Sequence, residues 1–456
     1  MALSGAAIGI RPTRLLPWKQ LALISVYWFG INMVWGGYEW FGQAQIELMV
    51  GEGARGLTTA VLETLGALVA IVVVPTVGTI SDYTSTRFGR RKGYIISGAA
   101  FDLLFLSGLA LLAMPEPPGW DGEALGSTGV LVLYAALFLS LQFSSNVGQG
   151  PYQGFVPDLV AEPQVGTASG AVGVMRTLGN IGGAVIMLTL GNALGQWGLS
   201  LFLIGVVELL LAILTFIFVD DGPPGRPRAG RSWASIAREA WGLDILRERS
   251  FLRMTAVRFL FLAGTSIFIN VSKWYLDDSM GLSVDEQSMW GLVGLGAAGV
   301  GTASAAVPAA RLSNRTGRKP VIWMACLVAG IGLALIAVAP SPPLAVIGLA
   351  LMGTGAGAYL AVDWALMTET IPLVTSGRYM GLANIANSIA GPVGLLIVGP
   401  LVLDLFTQAG MIELGPRAAV AVGIPALALA AFILIGVHPR RDPRYPDREP
   451  LDGVAV

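Results

Sequence analysis

The sequence predicts an all-α membrane protein with twelve transmembrane helices arranged as two pseudo-symmetric six-helix bundles. Its apolar composition, its twelve long apolar segments and an internal repeat all favour this fold. Of the 456 residues, 54% are hydrophobic and only 12% are charged, whereas soluble domains carry about a quarter charged residues. A soluble protein of this composition would expose large apolar patches, but the same composition suits a bilayer.

Twelve segments are long enough to cross the membrane, because a spanning helix needs about 20 mostly apolar residues. All but four of the 28 Lys and Arg residues fall in the two tails or in alternate loops. The positive-inside rule therefore predicts that both termini are cytoplasmic. The four exceptions are Arg55, Arg176, Lys273 and Arg417. The predicted spans 1 to 12 are residues 20–46, 57–80, 94–114, 128–156, 166–190, 198–219, 253–277, 288–310, 320–339, 343–370, 378–403 and 416–437.

The two halves of the chain resemble each other. Basic loops containing Gly89 and Gly317 lie 228 residues apart, and Asp158 and Glu369 share a second offset of 211. Two repeated six-helix halves with a substrate path between them are a known plan of secondary transporters. We predict an N-terminal bundle at 1–219, a cytoplasmic linker at 220–252 and a C-terminal bundle with its tail at 253–456. The linker pattern fits an amphipathic helix on the membrane surface and an ordinary solvated helix equally well.

Several functional classes are disfavoured by composition and by missing motifs. A net charge of −1 gives no reason to expect a nucleic-acid partner. Cys326 is the lone cysteine and His438 the lone histidine, so we expect neither a disulfide nor a transition-metal site. The sequence contains no P-loop and no nucleophile elbow, and we expect neither a cofactor nor an enzymatic activity.

A family resemblance appears in the loop after span 2. The stretch Ser81-Asp82-Tyr-Thr-Ser-Thr-Arg87-Phe88-Gly89-Arg90-Arg91-Lys92 resembles the signature loop of the major facilitator superfamily. Its longer form is similar to that of plant sucrose transporters, their animal solute-carrier relatives and the glycoside–pentoside–hexuronide symporters. The resemblance implies the major facilitator fold and secondary transport.

Three further stretches are similar to the same group. They are Gln149-Gly150-Pro151 with Pro157-Asp158-Leu159, Tyr275-Leu-Asp277-Asp278-Ser-Met280-Gly281, and Met380-Gly381-Leu-Ala-Asn384-Ile-Ala-Asn387. Two departures stand out. Gln153 occupies the position of the family's arginine in span 4, and Asn314 replaces the acid in the second copy of the basic loop. The sugar specificity is therefore open, and only the first half carries the full charge pattern.

The signature loop predicts a gate. Asp82 at a helix end can pair with arginines of neighbouring spans, and such contacts must break when the cytoplasmic side opens. The alternative is that the basic residues only determine topology. The predicted gate residues are Asp82, Arg87, Arg90, Arg91, Lys92, Arg315, Arg318 and Lys319.

Polar and aromatic faces predict a sugar-binding cavity. In span 1, Trp28, Asn32, Trp35, Glu39 and Gln43 fall on one helical face, where amides can bond hydroxyls and indoles can pack on the apolar face of a pyranose. An interfacial aromatic belt with a carboxylate at the outer rim is the alternative. The other predicted substrate-binding residues are Gln142, Gln149 and Tyr152 in span 4, Asn270 in span 7, Asp363 in span 10, and Asn384 and Asn387 in span 11.

Ionisable residues at membrane depth are costly and mark function. We predict that Glu39, Asp158, Arg176 and Asp363 take part in proton coupling. Asp158 matches, by resemblance, the family acid implicated in coupling, although a gate or helix-end charge is equally consistent. Arg176 needs an anionic partner, for which Glu39 and Asp158 are candidates, and a static ion pair is the alternative.

Other charged positions are weaker candidates. Asp363 falls on the cavity side by pseudo-symmetry, or else is a buried structural acid. Lys273 and Asp277 form either an outer gate or a surface pair. Glu63 and Glu208 are interpreted as lone acids near a helix end or at a helix contact.

These observations predict a monomeric transporter of the cell membrane that couples uptake of a sugar or glycoside to protons, or to sodium. Substrate and ion would bind outside and leave inside by alternating access. Two other functions remain open, namely proton-driven efflux of a small apolar compound and a non-transporting assembly or signalling scaffold.

Overall fold

A computed structural model of the chain describes residues 13–112, 126–161, 164–222, 227–239, 249–370 and 376–438. Within these ranges the chain forms helices joined by short turns, and β-pairing is limited to a single bridge between Thr86 and Gly89 in the loop after span 2. The described part contains twelve helices that are long and apolar enough to cross a membrane. This number confirms the predicted fold class. The orientation of the termini stays a prediction.

The first six spans cover most of residues 18–218. Span 1 consists of helices Trp18–Ser25 and Tyr27–Val50, span 2 of Arg55–Asp82, span 3 of Lys92–Leu112, span 4 of Gly126–Tyr152, span 5 of Val165–Ile186 continued by the π-helical Met187–Ala193, and span 6 of Trp197–Phe218. A short helix, Phe155–Leu159, follows span 4.

The last six spans begin after the linker. Span 7 consists of Arg249–Trp274 continued by the π-helical Tyr275–Ser279, span 8 of Val284–Thr316, span 9 of Arg318–Val338, span 10 of Pro342–Glu369, span 11 of Ser376–Val398 with the π-helical Gly399–Asp404 and helix Leu405–Gln408, and span 12 of Leu414–Leu434. In the linker, Trp233–Glu239 is helical. The remainder of the predicted linker helix, from residue 240 onward, lies outside the described residues.

Local sequence signals explain several helix ends. Span 8 begins at a capping box, in which the Ser283 backbone N–H donates to Glu286 Oε2 at 3.0 Å. Span 8 ends at Gly317, whose φ is +93°, and Gly89 in the first copy of the basic loop has φ +103°. Both loop copies thus place glycine where a side chain would be strained. This shared conformation agrees with the internal repeat.

Small residues let the helices approach closely. Spans 8 and 10 touch where a Cβ on Gly353 or Gly357 would collide with the backbone of Ala298 or Thr302. Large apolar side chains face outward instead, and Val300 and Phe432 are each 70% exposed. This combination is expected for helices packed inside a bilayer, where apolar side chains meet lipid and small residues mediate helix contacts.

The chain divides into two compact units. The first comprises the described residues of Met1–Phe41 and Val69–Trp241, and the second those of Gly42–Leu68 and Gly242–Val456. The core of the first unit includes Tyr27, Ile31, Tyr152 and Phe155. The segment that joins spans 1 and 2 therefore packs within the second unit. The sequence-based bundle limits 1–219 and 253–456 stay a prediction.

Candidate functional site

A charged cluster in the first unit, called here the Asp82 network, contains Asp82, Arg90, Arg91, Asp158 and Asp221. Arg90 forms a close ion pair with Asp158, and its Nη1 lies 3.6 Å from Asp82 Oδ1. Arg91 Nη2 lies 3.0 Å from Asp82 Oδ1 and 2.7 Å from Asp158 Oδ2. The network thus ties the end of span 2 and the start of span 3 to the helix after span 4. The structure places Asp158 in this network of predicted gate residues.

Asp221 completes the network by capping span 3. Its carboxylate accepts backbone N–H bonds from Arg90, Arg91 and Lys92, those from Arg91 and Lys92 being 3.1 and 2.9 Å long. These N–H groups at a helix start would otherwise lack partners, and the helix dipole favours a negative charge there. A Cβ on Gly89 would collide with this carboxylate. The sequence analysis treated Asp221 only as part of the linker, because nothing local links it to residue 90.

Arg91 reaches into the break after span 4. Its Nη1 donates to the Pro151 carbonyl at 2.6 Å, and a Cβ on Gly154 would collide with the guanidinium. Burial lowers the pKa of the Arg91 guanidinium, whereas the nearby Asp158 and Asp82 carboxylates raise it. Arginine is protonated under all ordinary conditions, so the site holds a permanent buried positive charge between two acids.

The other predicted gate residues make different contacts. Arg87 stacks on Phe88 with its guanidinium carbon 4.5 Å from the ring centroid. The Lys92 ammonium lies 5.6 Å from the centre of the Phe216 ring. Both arrangements are cation–π contacts. In the described part of the chain, the ion pairs of the Asp82 network are made by Arg90 and Arg91 and involve neither side chain.

The second copy of the basic loop binds neutral oxygens. Arg318 Nη1 donates to Ser313 Oγ at 2.6 Å and to Asn314 Oδ1 at 2.7 Å. Lys319 Nζ donates to the Ile435 and Val437 carbonyls at 3.0 and 2.9 Å, where span 12 ends. Arg315 lies in the last turn of span 8, where a positive charge complements the helix dipole. Asn314 at the position of the missing acid therefore meets Arg318 through its amide oxygen.

A second charged cluster, called here the Arg55 network, lies within the second unit and contains Glu47, Arg55, Lys273, Asp277 and Asp278. The fully buried Arg55 side chain pairs with Glu47 at 2.7 Å and closely with Asp278. Lys273 Nζ lies 2.9 Å from Glu47 Oε2 and 3.3 Å from Asp277 Oδ2. The network joins the end of span 1 and the start of span 2 to the end of span 7. The sequence analysis identified only its Lys273–Asp277 part.

Further polar contacts join the same regions. Asp404 of span 11 accepts N–H bonds from Gly56 and Leu57 at 2.8 and 2.7 Å, and so caps the start of span 2. Gln43 Nε2 donates to the Ile269 carbonyl at 3.0 Å, and Gln43 Oε1 accepts the Lys273 N–H at 3.0 Å. Both ends of this predicted substrate-binding amide are therefore engaged with span 7.

The predicted face of span 1 lies partly in the core of the first unit. Trp28 is buried, and the Arg176 guanidinium carbon lies 4.9 Å from the centre of a Trp28 ring. The Asn32 amide turns back to the Trp28 carbonyl at 2.8 Å. Trp35 and Glu39 are half-buried. Of the two acids predicted as partners of Arg176, Asp158 pairs with Arg90 and Arg91.

Two polar atoms on these faces behave differently. Glu39 Oε2 is buried and has no hydrogen-bond partner among the residues described. The Tyr152 hydroxyl, in contrast, donates to the Ile24 carbonyl at 2.6 Å and accepts the Tyr27 N–H at 3.1 Å. Tyr152 is 1% exposed. The structure therefore places it as a packed link between spans 1 and 4, while Glu39 retains an oxygen that can take a proton.

In span 4, Gln142 is also buried, and its backbone carbonyl accepts the Asn146 amide at 2.6 Å. Gln149 and, in span 7, Asn270 are half-buried, and Asn387 in span 11 is exposed. The side chain of Asn384 lies outside the described residues. The structure thus leaves Gln149, Asn270 and Asn387 the more accessible of the predicted binding amides.

Asp363 lies in a buried polar cluster of the second unit. Its Oδ2 is 3.2 Å from Arg258 Nη1, and its Oδ1 accepts the Tyr359 hydroxyl at 2.8 Å. The Tyr359 ring stacks on Phe261 with centroids 3.8 Å apart. The sequence analysis counted Arg258, near the start of predicted span 7, only among the basic residues on the cytoplasmic side. The structure instead makes Arg258 the ion-pair partner of Asp363.

These arrangements combine three chemical abilities. The two networks can hold helix ends together and release them when their ion pairs break. Glu39 and Asp363 are acids that can take up or release a proton at membrane depth. The first unit carries aromatic and amide groups on spans 1 and 4, and the second unit carries amides on spans 7 and 11, which are chemically able to contact a polar solute.

A model of the family described as Major Facilitator Superfamily matches residues 21–395 and 254–453 of the chain. The fold is similar to the crystal structure of the nucleoside transporter NupG, with a TM-score of 0.63 over 92% of this chain and 98% of that one. The two sequences are 14% identical. This likeness concerns the fold alone.

Three relatives with sequences similar to this chain carry names that describe different kinds of transport. The multidrug efflux pump Tap of Mycobacterium tuberculosis is 27% identical over 86% of this chain and 89% of its own length. An uncharacterized symporter of Bacillus subtilis, YnaJ, is 25% identical over 83% of this chain and 82% of its own. The sucrose transport protein SUT1 of Oryza sativa subsp. japonica is 27% identical over 33% of this chain and 30% of its own.

Proposed function

Because the chain belongs to the major facilitator superfamily and is a multi-pass integral membrane protein, we propose that it imports a sugar or glycoside together with protons by alternating access. The observation that carries the coupling is the buried Asp363–Arg258 ion pair, with its 3.2 Å separation inside the second unit. A charge pair at membrane depth is costly. Such a pair is expected where its making and breaking has a use.

Proton binding at Asp363 would change its hold on Arg258. As a carboxylate, Asp363 forms an ion pair with Arg258 and accepts the Tyr359 hydroxyl. Once protonated, it carries no charge, and its attraction to the guanidinium falls. Arg258 is then able to move to another partner or to a bound solute. This exchange links protonation to a rearrangement of spans 7 and 10.

The Arg55 network is proposed as the outer gate. On the predicted topology it lies at the extracytoplasmic end, and it connects spans 1 and 2 of the first sequence half to span 7 of the second. Opening this end would require Arg55 and Lys273 to leave their carboxylates. Charge-assisted contacts that form in one state and break in the other are a common switching element.

The substrate class is proposed from the half-buried and exposed groups. Trp35 and Glu39 of span 1, with Gln149, Asn270 and Asn387, offer an indole, a carboxylate and three amides. Hydroxyl groups of a sugar need such hydrogen-bond partners, and an indole packs on the apolar face of a pyranose. The relation to YnaJ, an uncharacterized symporter matched over 83% of this chain, and the relation to SUT1 over 33% of it support this choice.

Efflux of a small compound is the second candidate, because Tap is a multidrug efflux pump and matches over most of both chains. The same gates and the same acids serve either direction, since alternating access is reversible. The candidates differ in cargo and in the direction of coupling. An exporter of apolar compounds should expose fewer amides to its cargo than this chain offers.

Proteoliposomes that contain the purified full-length protein separate these candidates. A panel of labelled mono- and disaccharides and glycosides is tested for accumulation under an imposed pH gradient, beside labelled lipophilic cations tested for expulsion. The proposal expects accumulation of at least one sugar that collapses with a protonophore. Expulsion of the cations without accumulation of any sugar establishes efflux instead.

Asp363→Asn tests the coupling in the same system. The amide keeps an acceptor for Arg258 but cannot exchange a proton, so we expect gradient-driven accumulation to fall at least tenfold while substrate exchange without a gradient persists. Asp285→Asn is a matched control, because Asp285 is exposed at the start of span 8. Unchanged accumulation in Asp363→Asn would remove Asp363 from the mechanism.

A further inference from the structure

Two carboxyl groups are buried next to each other in the first unit. Asp102 of span 3 and Glu208 of span 6 are both 0% exposed. Spans 3 and 6 pack closely beside them, since a Cβ on Gly205 would lie 3.3 Å from the Leu103 Cα, and the two carboxyl groups interact electrostatically. The sequence analysis considered Glu208 only as a lone acid and did not consider Asp102, because 106 residues separate them. Only the fold brings them together.

Hydroxyl groups surround the pair. Ser144 of span 4 makes a short hydrogen bond to Asp102 Oδ1, and the Tyr27 hydroxyl of span 1 lies 3.4 Å from Glu208 Oε1. The remaining oxygens, Asp102 Oδ2 and Glu208 Oε2, are buried and have no hydrogen-bond partner among the described residues. Two ionised carboxylates are acceptors only. A hydrogen bond between them would therefore require a proton on one of them.

No cation neutralises the pair within the described part of the chain, since its ion pairs include neither acid. The titratable groups facing it are Tyr27 from span 1 and, behind Tyr27, Tyr152 from span 4. Two like charges side by side in a low-dielectric site repel each other and are poorly solvated. The pair must therefore hold at least one proton in this conformation.

Glycines bring the four helices tightly around the pair. A Cβ on Gly30 of span 1 would lie 3.1 Å from the Glu208 Cα, and one on Gly148 of span 4 would lie 3.1 Å from the Tyr27 hydroxyl. A Cβ on Gly98 of span 3 would lie 2.9 Å from the Gly148 Cα. A movement of one of these helices would therefore change the surroundings of both carboxyl groups.

Span 1 is the helix that connects the pair with the rest of the proposed mechanism. Tyr27 precedes Trp28, on which Arg176 stacks. The same helix continues past Phe41 into the second unit and carries Glu47 of the Arg55 network. A shift of span 1 that breaks the Glu47 contacts also changes the position of the Tyr27 hydroxyl.

We propose that Asp102 and Glu208 form a proton-binding site that shares one proton in the conformation described here and exchanges it when span 1 moves. On release, the carboxyl O–H bond breaks, the proton passes to water, and two carboxylates remain that water must solvate. On binding, a proton from water returns to the pair. The role of this site in transport rests on the proposed proton coupling, whereas its occupancy by a proton does not.

Infrared difference spectroscopy of the full-length protein in lipid nanodiscs tests occupancy without any substrate. We expect a deuterium-sensitive carboxylic acid C=O band at neutral pH that disappears in the Asp102→Asn/Glu208→Gln double variant. The matched control Asp285→Asn, which changes an exposed carboxylate, should retain the band. A carboxylic acid region that is identical in wild type and double variant overturns the proposal.

Transport measurements test exchange of the proton. In Glu208→Gln the amide can donate to Asp102 and imitates the protonated pair, so exchange of substrate without a gradient should stay within about twofold of wild type. Gradient-driven transport should fall at least tenfold. Unchanged gradient-driven transport would show that the pair has no role as a proton carrier. The same conclusion follows if substrate exchange falls as much as gradient-driven transport in a variant that unfolds at the wild-type temperature.

A replacement variant and a replacement substrate allow the proposal to be tested if the first experiment cannot be carried out. If Glu208→Gln does not yield folded protein, Asp102→Asn, which keeps an acceptor for Ser144, replaces it with the same expectations. If wild-type liposomes accumulate no sugar but expel a cation, the same comparison is made with that cation. Failure of the sugar proposal is thereby separated from failure of the proton site, which the infrared band decides alone.

Discussion

The Asp82 network and the Arg55 network are similar in composition and differ in what they connect. Each has two buried or half-buried basic groups and three carboxylates, but the partners of Asp82 all fall within residues 82–221. The Arg55 network pairs Arg55 with Asp278 and Glu47 with Lys273, across the sequence repeat. The first therefore fixes helix ends within one sequence half, and the second joins helix ends of both sequence halves inside the second unit.

This difference changes the interpretation of the signature loop. The sequence analysis assigned the cytoplasmic gate to that loop because of its charges. In the structure the backbone N–H groups at the start of span 3 donate to Asp221, and the Arg91 side chain fills the break after span 4. The cytoplasmic gate stays a prediction. We expect substitutions in the Asp82 network to affect folding first and those in the Arg55 network to affect opening first.

The largest expected effect is that of Arg91→Ala. It leaves Asp82 and Asp158 with one partner fewer and an empty space beside Gly154, and breaking a buried ion pair costs about 3 to 5 kcal/mol. We expect a large loss of purified protein and a lower unfolding temperature in detergent. Arg87→Ala is the control, because Arg87 is exposed and stacks on Phe88. Equal stability of the two variants would contradict a structural role for the network.

The next largest effect is expected for Arg55→Gln, which should favour opening of the proposed outer gate. The background variant Cys326→Ser removes the lone cysteine, and Trp35→Cys supplies a reporter for a membrane-impermeant maleimide. Loss of about 1.4 kcal/mol from the closed state raises the open fraction roughly tenfold, so labelling from outside should accelerate by about that factor. The unfolding temperature should change less than in Arg91→Ala. A folded variant with unchanged labelling would show that Arg55 does not hold the outer end closed.

Exchanging the charges of Lys273 and Glu47 tests whether their ion pair contributes to closure of the outer end. Lys273→Glu places an acid beside Glu47 and Asp277 and should accelerate labelling at Trp35→Cys, and adding Glu47→Lys should partly reverse this. Recovery is incomplete because Glu47 also contacts Arg55 and the Trp274 indole, at 2.7 and 3.1 Å. A coupling energy of about 0.5 to 3 kcal/mol between the two sites is expected for direct partners. Strictly additive labelling rates would show that the pair is unimportant for closure.

The smallest effect is expected for Asp221→Asn. The amide oxygen still accepts from the start of span 3, but the interaction of a full charge with the helix dipole, about 0.3 to 1 kcal/mol, is lost. We expect a decrease of a few degrees in unfolding temperature and normal labelling from outside. Asp220→Asn, at an exposed neighbouring position, should be indistinguishable from wild type. A loss as large as that of Arg91→Ala would mean that the charge, and not the cap, organises the network.

Much of the fold followed from hydropathy, but the partners of the charged residues did not. Arg258 was counted among the basic residues that the positive-inside rule assigns to the cytoplasmic side, yet in the structure it pairs with Asp363 inside the second unit. Arg55 offered one usable signal, because it was one of four basic residues on the wrong side for the positive-inside rule. For Asp102 no sequence signal identifies its partner, since a single acid in an apolar helix does not indicate which residue it faces.

The sequence alone predicted that this protein lies in a bilayer, that it has twelve spans and an internal repeat, and that it resembles a transporter family. These properties depend on composition and on local periodicity, which every residue contributes to independently. Three contacts became apparent only in the three-dimensional structure. Asp158 and Asp221 bind the same arginines, Tyr152 links spans 1 and 4, and Asp102 lies beside Glu208. Pairing of buried charges depends on helix rotation and depth, which small residues such as Gly30 and Gly154 set through close packing between distant segments.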